Sequence, residues 1–200
     1  LPTRLRLGVM ASGQGSNFEA LVAASRQGRL NAEVALLIVN NGDCGAVARA
    51  ERLGIPWQLH DHRLHATREA LDRALVVSLQ QAAVDLVVMA GWMRIVTPVL
   101  IEAFAGRLLN IHPSLLPSFR GVDAVGQALA AGVTLSGCTV HLVSEQVDAG
   151  EILIQAAVPV LADDDHASLA ARIQQQEHQL LPAAVGLLGA RLMAQDAAQG

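Results

Sequence analysis

Apolar residues recur along this chain in two rhythms: short continuous runs, and stripes spaced three or four apart. The runs read as buried strands and the stripes as one-sided helices. Leu5–Met10 is predicted as a strand, leading through a turn into a helix over Phe18–Gln27 whose Phe18, Leu21 and Val22 share a face. Ser16 or Asn17 is expected to cap that helix. Val34–Val39 is a second strand, Ala46–Leu53 a helix, and Ile55–Leu59 a short third strand. Thr67 is expected to cap a helix over Arg68–Ala83 that turns Leu71, Leu75 and Leu79 to one side. A strand at Asp85–Ala90, a short helix at Pro98–Phe104 and a strand at Leu108–Ile111 follow. Alternation this tight predicts a parallel, doubly wound sheet.

The rhythm changes after residue 112. His112–Gly121, with two prolines and two serines, reads as an irregular loop, and Ala124–Ala131 as a helix. Gly137–Val143 and Ile152–Val160 are longer strands separated by a turn at Asp148-Ala149-Gly150, so an antiparallel edge is expected. A last helix over His166–Met193 is expected to break or bend at Pro182. No linker, repeat or low-complexity segment divides the chain. The fold class is therefore α/β, with a doubly wound, mostly parallel, Rossmann-like sheet and an antiparallel C-terminal edge. Residues 1–200 are read as a single domain.

Composition narrows the chemistry. A hydrophobic fraction of 52% is inflated by 34 alanines, and the apolar runs fall far short of the roughly 20 residues a spanning helix needs. The chain starts Leu-Pro-Thr-Arg-Leu-Arg and runs directly into a strand, so no signal peptide is expected. Cys44 and Cys138 show no CxxC spacing and read as free thiols in a reducing, cytoplasmic setting. All 14 basic residues are arginine, there is no tyrosine, and the net charge is −4. Lysine Schiff bases, a Walker A lysine, Ser-Lys dyads and tyrosine acids are thereby excluded. Few aromatics and no basic surplus argue against nucleic acid. Proton transfer falls to the seven histidines and the carboxylates.

Three constellations could carry it. Ser12-Gly13-Gln14-Gly15-Ser16-Asn17 lies between a strand and a helix, where backbone N–H groups can hold a phosphate. Phe18 replaces the third glycine of a dinucleotide fingerprint, and a plain connecting turn stays open. Asn110 and His112 fall on one side of a strand at its carboxyl end, an amide donor beside an imidazole, which suits a protonated tetrahedral oxyanion. A satisfied core pair is the equal alternative. Asp148, in a turn, matters only if the fold returns it to His112. The run His60-Asp61-His62-Arg63-Leu64-His65 resembles a metal cluster but lacks a closed zinc geometry, so no metal is expected. Asp163-Asp164-Asp165-His166 reads as the cap of the last helix.

From Asn110 through His112-Pro113-Ser114-Leu115-Leu116-Pro117 to Gly121 the chain resembles the folate-dependent formyltransferases, in particular the glycinamide ribonucleotide transformylase family. The likeness extends over Ser12–Asn17, Ala90–Ile95, Gly137–His141, Asp148–Gly150, Val158–Val160 and Gln176-Glu177-His178. It implies the formyltransferase fold and transfer of a formyl group from 10-formyltetrahydrofolate, as co-substrate, to glycinamide ribonucleotide. By the same likeness Asn110 and a protonated His112 stabilise the oxyanion, and Asp148 holds the imidazole charged. Gly15, Ser16 and Asn17 are implied to grip the substrate phosphate, with Gln174 and Glu177 at its sugar or glycinamide end. Arg68, Met93, Arg94, Ile95 and Val96, together with Asn110, Ser144, Val147 and Asp148, are implied to line the folate pocket, and Leu116–Pro117 to be cis. Arg68 and Arg94 are the arginines with an expected role, the other twelve being read as surface charge. The family usually carries a histidine, often with a basic residue, where this chain reads Val125-Gly126, a stretch belonging to a loop over the site. Partners are expected to be the two small molecules, with no nucleic acid and no membrane; a homodimer is compatible but not required. The rival expectations are another enzyme of the superfamily, such as formyltetrahydrofolate deformylase, or a non-catalytic nucleotide-binding module.

Overall fold

The structure, a computed structural model, describes residues 4–199. Leu1–Thr3, on which the reading of the N-terminus partly rests, lie outside them. In chain order the elements are β1 (Leu5–Ala11), α1 (Ser16–Arg26), β2 (Ala32–Val39), α2 (Gly45–Leu53), β3 (Trp57–Leu59), α3 (Arg68–Gln81) and β4 (Leu86–Met89). Then come α4 (Pro98–Ala103), β5 (Leu108–His112), α5 (Ala124–Ala131), β6 (Leu135–Leu142), β7 (Ile152–Pro159) and α6 (His166–Gln199). The seven strands form one sheet in the order β3-β2-β1-β4-β5-β6-β7. The first five are parallel, and β6 and β7 add antiparallel to β5. The predicted fold class is the observed one.

Strand alternation sends side chains to two cores. Leu5, Leu7, Val9 and Ala11 of β1 face α1, α2 and α6, whereas Met10 faces α3 and α4. Leu71, Leu75 and Leu79 pack from α3 onto this second face as the stripe predicts, and Thr67 Oγ1 accepts the Ala70 N–H at 3.1 Å as the cap. Leu75→Ala is expected to destabilise the fold by about 2–5 kcal/mol because Leu75 is fully buried. Thr67→Ala should cost only about 1 kcal/mol, the loss of one cap. Urea unfolding of the two variants measures the ordering.

Two expectations need correction. Ser16 and Asn17 do not cap α1: Gly15 does, at φ 74° and without a side-chain bond. α6 is not broken at Pro182, but runs continuously from His166 to Gln199. An internal proline costs about 3 kcal/mol. Burial of Leu180, Leu181, Val185 and Leu188 around it offsets this, at about 1.5–3 kcal/mol per large side chain.

The topology also places a site. β1 is flanked by β2 on one side and β4 on the other, so chain order reverses between β1 and β4. Their carboxyl ends open a crevice there, which is where open α/β sheets bind ligands.

Candidate active site

The turn after β1 is shaped by Gly15. It is buried with positive φ, and a Cβ there would lie 2.7 Å from the Ala46 Cα, so α2 packs where a side chain would be. With glycine as cap, the Ser16 and Asn17 side chains are free for other partners. Ser16 Oγ accepts from Gln174 Nε2 at 2.9 Å, and Asn17 Nδ2 donates to Glu177 Oε2 at 2.8 Å. Arg49 braces the turn, donating Nε to the Gln14 carbonyl at 2.7 Å and pairing with Glu19. Arg49 is therefore more than surface charge, and lysine could not reproduce its forked contact.

A second wall comes from the loop after β4. Ser12 N donates to Gly91 O at 3.0 Å and Ser12 Oγ accepts from Met93 N at 2.9 Å, so the two crevice loops are bonded to each other. The loop's far end is anchored on Asp72, which accepts from Thr97 N and from Thr97 Oγ1 at 2.8 Å. Burial pushes the Asp72 carboxyl up, against the pull of these bonds. Between the anchors Met93 and Ile95 stand 69% and 56% exposed, large apolar side chains with a cleft to line rather than a core to fill.

The chemistry sits between β5, β6 and the loop that follows. Asn110 and His112 leave the end of β5, and Asp148, at φ 51°, turns its carboxylate back toward them. Asp148 Oδ2 lies 3.4 Å from His112 Nδ1 and accepts the Gly121 N–H at 2.9 Å. Its Oδ1 is 3.4 Å from Asn110 Nδ2. His112 Nε2 meets the Phe119 carbonyl at 2.8 Å. Both ring nitrogens thus face acceptors, the Asp148 carboxylate on one side and the Phe119 carbonyl on the other. Burial works to raise the Asp148 carboxyl. Contact with His141, the Gly121 N–H and the charges of His112 and His141 outweigh burial and hold the carboxyl below its ordinary range.

His141 was absent from the sequence-derived site. It stands opposite Asn110 in the antiparallel register of β5 and β6. Its Nε2 is 3.2 Å from Asn110 Nδ2 and 3.6 Å from Asp148 Oδ1, while Nδ1 meets the Leu142 carbonyl at 2.8 Å. The ring thus sits between the Asn110 amide and the Asp148 carboxylate, fixed from behind by the Leu142 carbonyl. The long bond from Asn110 to Asp148 is the one an oxyanion, as a stronger acceptor, would take over.

One cleft of about 600 Å³ gathers these groups. Asn17, Glu177, Met93, Arg94, Ile95, Val96, Asn110, His112, Ser144, Val147 and Asp148 all line it. Gly15, Ser16 and Gln174 belong to the adjoining turn and helix, outside the lining, and Arg68 is exposed at the start of α3. Glu177 is 8% exposed, and burial pushes its carboxyl up, partly offset by the Asn17 bond. Asn17 Oδ1 is buried without a hydrogen-bond partner, an acceptor available to a ligand.

A raised carboxyl binds more protons folded than unfolded, so ionising Glu177 lowers stability as pH rises from the ordinary carboxylate range through its folded value. Glu177→Gln removes that term. The variant is expected to lose less stability than the parent between about pH 4 and pH 7, measured by urea unfolding at both.

The remaining candidates have local roles. Asp61 caps a single 3₁₀ turn at His62–Leu64, and its bonds to Arg63 hold it at about 2. His60 Nε2 meets Ser78 Oγ at 2.9 Å. Among the described residues, no group of three or more His, Cys, Asp or Glu side chains is arranged to hold a metal ion. Asp165 accepts the Ser168 N–H at the head of α6, and Asp164 grips Arg172 through two bonds of 2.6 and 2.9 Å. Val125 is buried in the main core, and Gly126 leaves room for Asp123: a Cβ there would meet Asp123 Oδ2 at 2.2 Å. The Gly126 N–H donates to Asp123 Oδ1 at 3.0 Å as the cap of α5.

Known proteins resemble this chain over most of its length. A family model described as formyl transferase matches residues 5–185. The chain is 43% identical over 185 residues to the human trifunctional purine biosynthetic protein adenosine-3, covering 92% of this chain but only 18% of that protein. It is 39% identical to the phosphoribosylglycinamide formyltransferase of Haemophilus influenzae, over 88% of this chain and 84% of the relative. Glycinamide ribonucleotide transformylase 1 from Symbiobacterium toebii superposes with a TM-score of 0.93 at 43% identity, over 96% of this chain and 91% of that one.

Proposed function

The chain belongs to the formyl transferase family, and on that premise we propose that it moves the formyl group of 10-formyltetrahydrofolate to the primary amine of glycinamide ribonucleotide, a step in purine biosynthesis. The observation that carries this reading is the convergence of Asn110, His112 and Asp148 on one cleft. The amine lone pair attacks the formyl carbon, and the carbonyl oxygen becomes an oxyanion. Asn110 Nδ2 stabilises it by a hydrogen bond and the His112 imidazolium by its charge. Collapse breaks the bond to the folate nitrogen, which takes up a proton as the new amide nitrogen gives one up. Asp148 keeps His112 charged and accepts protons arriving through water.

The two ends of the cleft suit the two substrates. The Gly15–Asn17 turn offers N–H groups at the head of α1 for the phosphate, with Gln174 and Glu177 beside it. Met93, Ile95 and Val96 supply apolar wall for the folate, and Arg94 a charge for its acidic tail. Arg68, exposed at the head of α3, is the second arginine assigned to that tail. No helix among the described residues is long and apolar enough to cross a membrane.

The test is amine dependence. Consumption of 10-formyltetrahydrofolate should require glycinamide ribonucleotide and stop without it. Equal consumption in its absence would make the enzyme a deformylase, and no consumption under either condition would leave a binding module.

A further inference from the structure

We propose that Thr139 and Gln155, neither of which lines the cleft, are positioning residues for His112. His112, Thr139 and Gln155 occupy one rung of the sheet, paired across β5, β6 and β7. The chain leaves β5 at His112 and folds back over this rung. There the Thr139 hydroxyl, fully buried, donates to the Ser114 carbonyl at 2.7 Å and accepts from Leu116 N at 3.1 Å and Gln155 Nε2 at 2.9 Å. Its one donor and two acceptor sites are all used. Gln155 Nε2 also donates to the Leu116 carbonyl at 2.9 Å. Ser114 Oγ donates to Ser118 O at 2.6 Å, so the segment 114–118 is tied down along its length.

The next residue is the one that matters. Phe119, at φ 55°, presents its carbonyl to His112 Nε2 at 2.8 Å. That carbonyl is the second acceptor of the imidazolium, opposite Asp148. If the clamp is released, Phe119 drifts, Nε2 loses its acceptor, and the ring is no longer aimed at Asp148 from both sides. Misplacement of a catalytic group by about 1 Å costs up to about a hundredfold in rate. The kinetic part of this inference rests on the formyl-transfer reading, whereas the positional part does not.

Thr139→Val keeps the shape and removes the hydroxyl, Thr139→Ser restores it, and Gln155→Ala removes the second clamp from an edge-strand position. We expect Thr139→Val and Gln155→Ala to lower kcat about tenfold while KM for both substrates stays within about twofold. Thr139→Ser should return kcat to near the parent value. Ring-nitrogen NMR of His112 should show the Nε2–H signal shifted in the first two variants and unmoved in the serine variant. Parent-like kcat and ring signals in both Thr139→Val and Gln155→Ala would overturn the proposal, as would a fall in kcat with unmoved ring signals. Should Thr139→Val not fold, Gln155→Ala decides by the same readouts. Should the parent protein transfer no formyl group, the reaction reading fails while the ring signals still decide the positional claim.

Discussion

Asp148→Asn is expected to lower formyl transfer about a thousandfold without unfolding the protein. The carboxylate faces N–H groups on every side: His112 Nδ1 at 3.4 Å, Gly121 N at 2.9 Å and Asn110 Nδ2 at 3.4 Å. An amide of the same shape that keeps its oxygen on Gly121 and His112 sets its NH₂ against the Asn110 amide, donor against donor, and carries no charge. The His112 ring then faces a neutral oxygen at Nδ1 in place of a negative partner. Replacing an orienting aspartate by asparagine in a comparable triad costs about 10⁴ in kcat, and losing one oxyanion donor about 10² to 10³. Steady-state kcat measures the loss, and ring-nitrogen NMR of His112 reports its cause. Stability adds an independent check. A carboxyl held below its ordinary value stabilises the fold above the unfolded value, and that contribution disappears as pH falls through the folded value. Asp148 is such a group, so the variant should show a flatter loss of stability on acidification than the parent, in urea unfolding below about pH 4.

Asn110→Ala should lower kcat about 10² to 10³-fold while KM for both substrates changes little, because its donor is needed once the oxyanion forms. The expectation follows from the weakness of its ground-state bonds. One goes to His141 Nε2 at 3.2 Å, and the other, to Asp148, is stretched to 3.4 Å and ready to be replaced. A large rise in KM with kcat intact would mean that Asn110 holds substrate rather than the transition state. Steady-state kinetics with each substrate varied in turn separates the two.

Much of the scaffold was legible because its elements are simple to read. Leu71, Leu75 and Leu79 announce the buried face of α3, and the apolar run at Leu86–Met89 announces a central strand. The change of rhythm after residue 112 marked the antiparallel edge that β6 and β7 form. What escaped depended on backbone conformation or long-range packing. The cap of α1 is a glycine in a left-handed conformation, and α6 passes Pro182 intact because buried leucines on either side hold it. The site divides in the same way. Asn110 and His112 follow from strand alternation, but the return of Asp148 depends on a loop whose path no local pattern encodes. His141 looks like a lone histidine in an apolar strand. Only the register that sets it opposite Asn110 reveals its place, and a one-residue slip would have turned it to the other face. Arg49 was missed because its partner is a carbonyl, Gln14 O, which leaves no trace in sequence.

Transfer of an isotopically labelled formyl carbon, followed in a single turnover, tests the central claim most directly. With 10-formyltetrahydrofolate as donor and glycinamide ribonucleotide as acceptor, the label should appear in the product amide in step with loss of the donor. His112→Ala should slow that appearance by at least about a hundredfold. Label arriving in formate rather than in the amide, or an undiminished rate in the variant, would contradict the account.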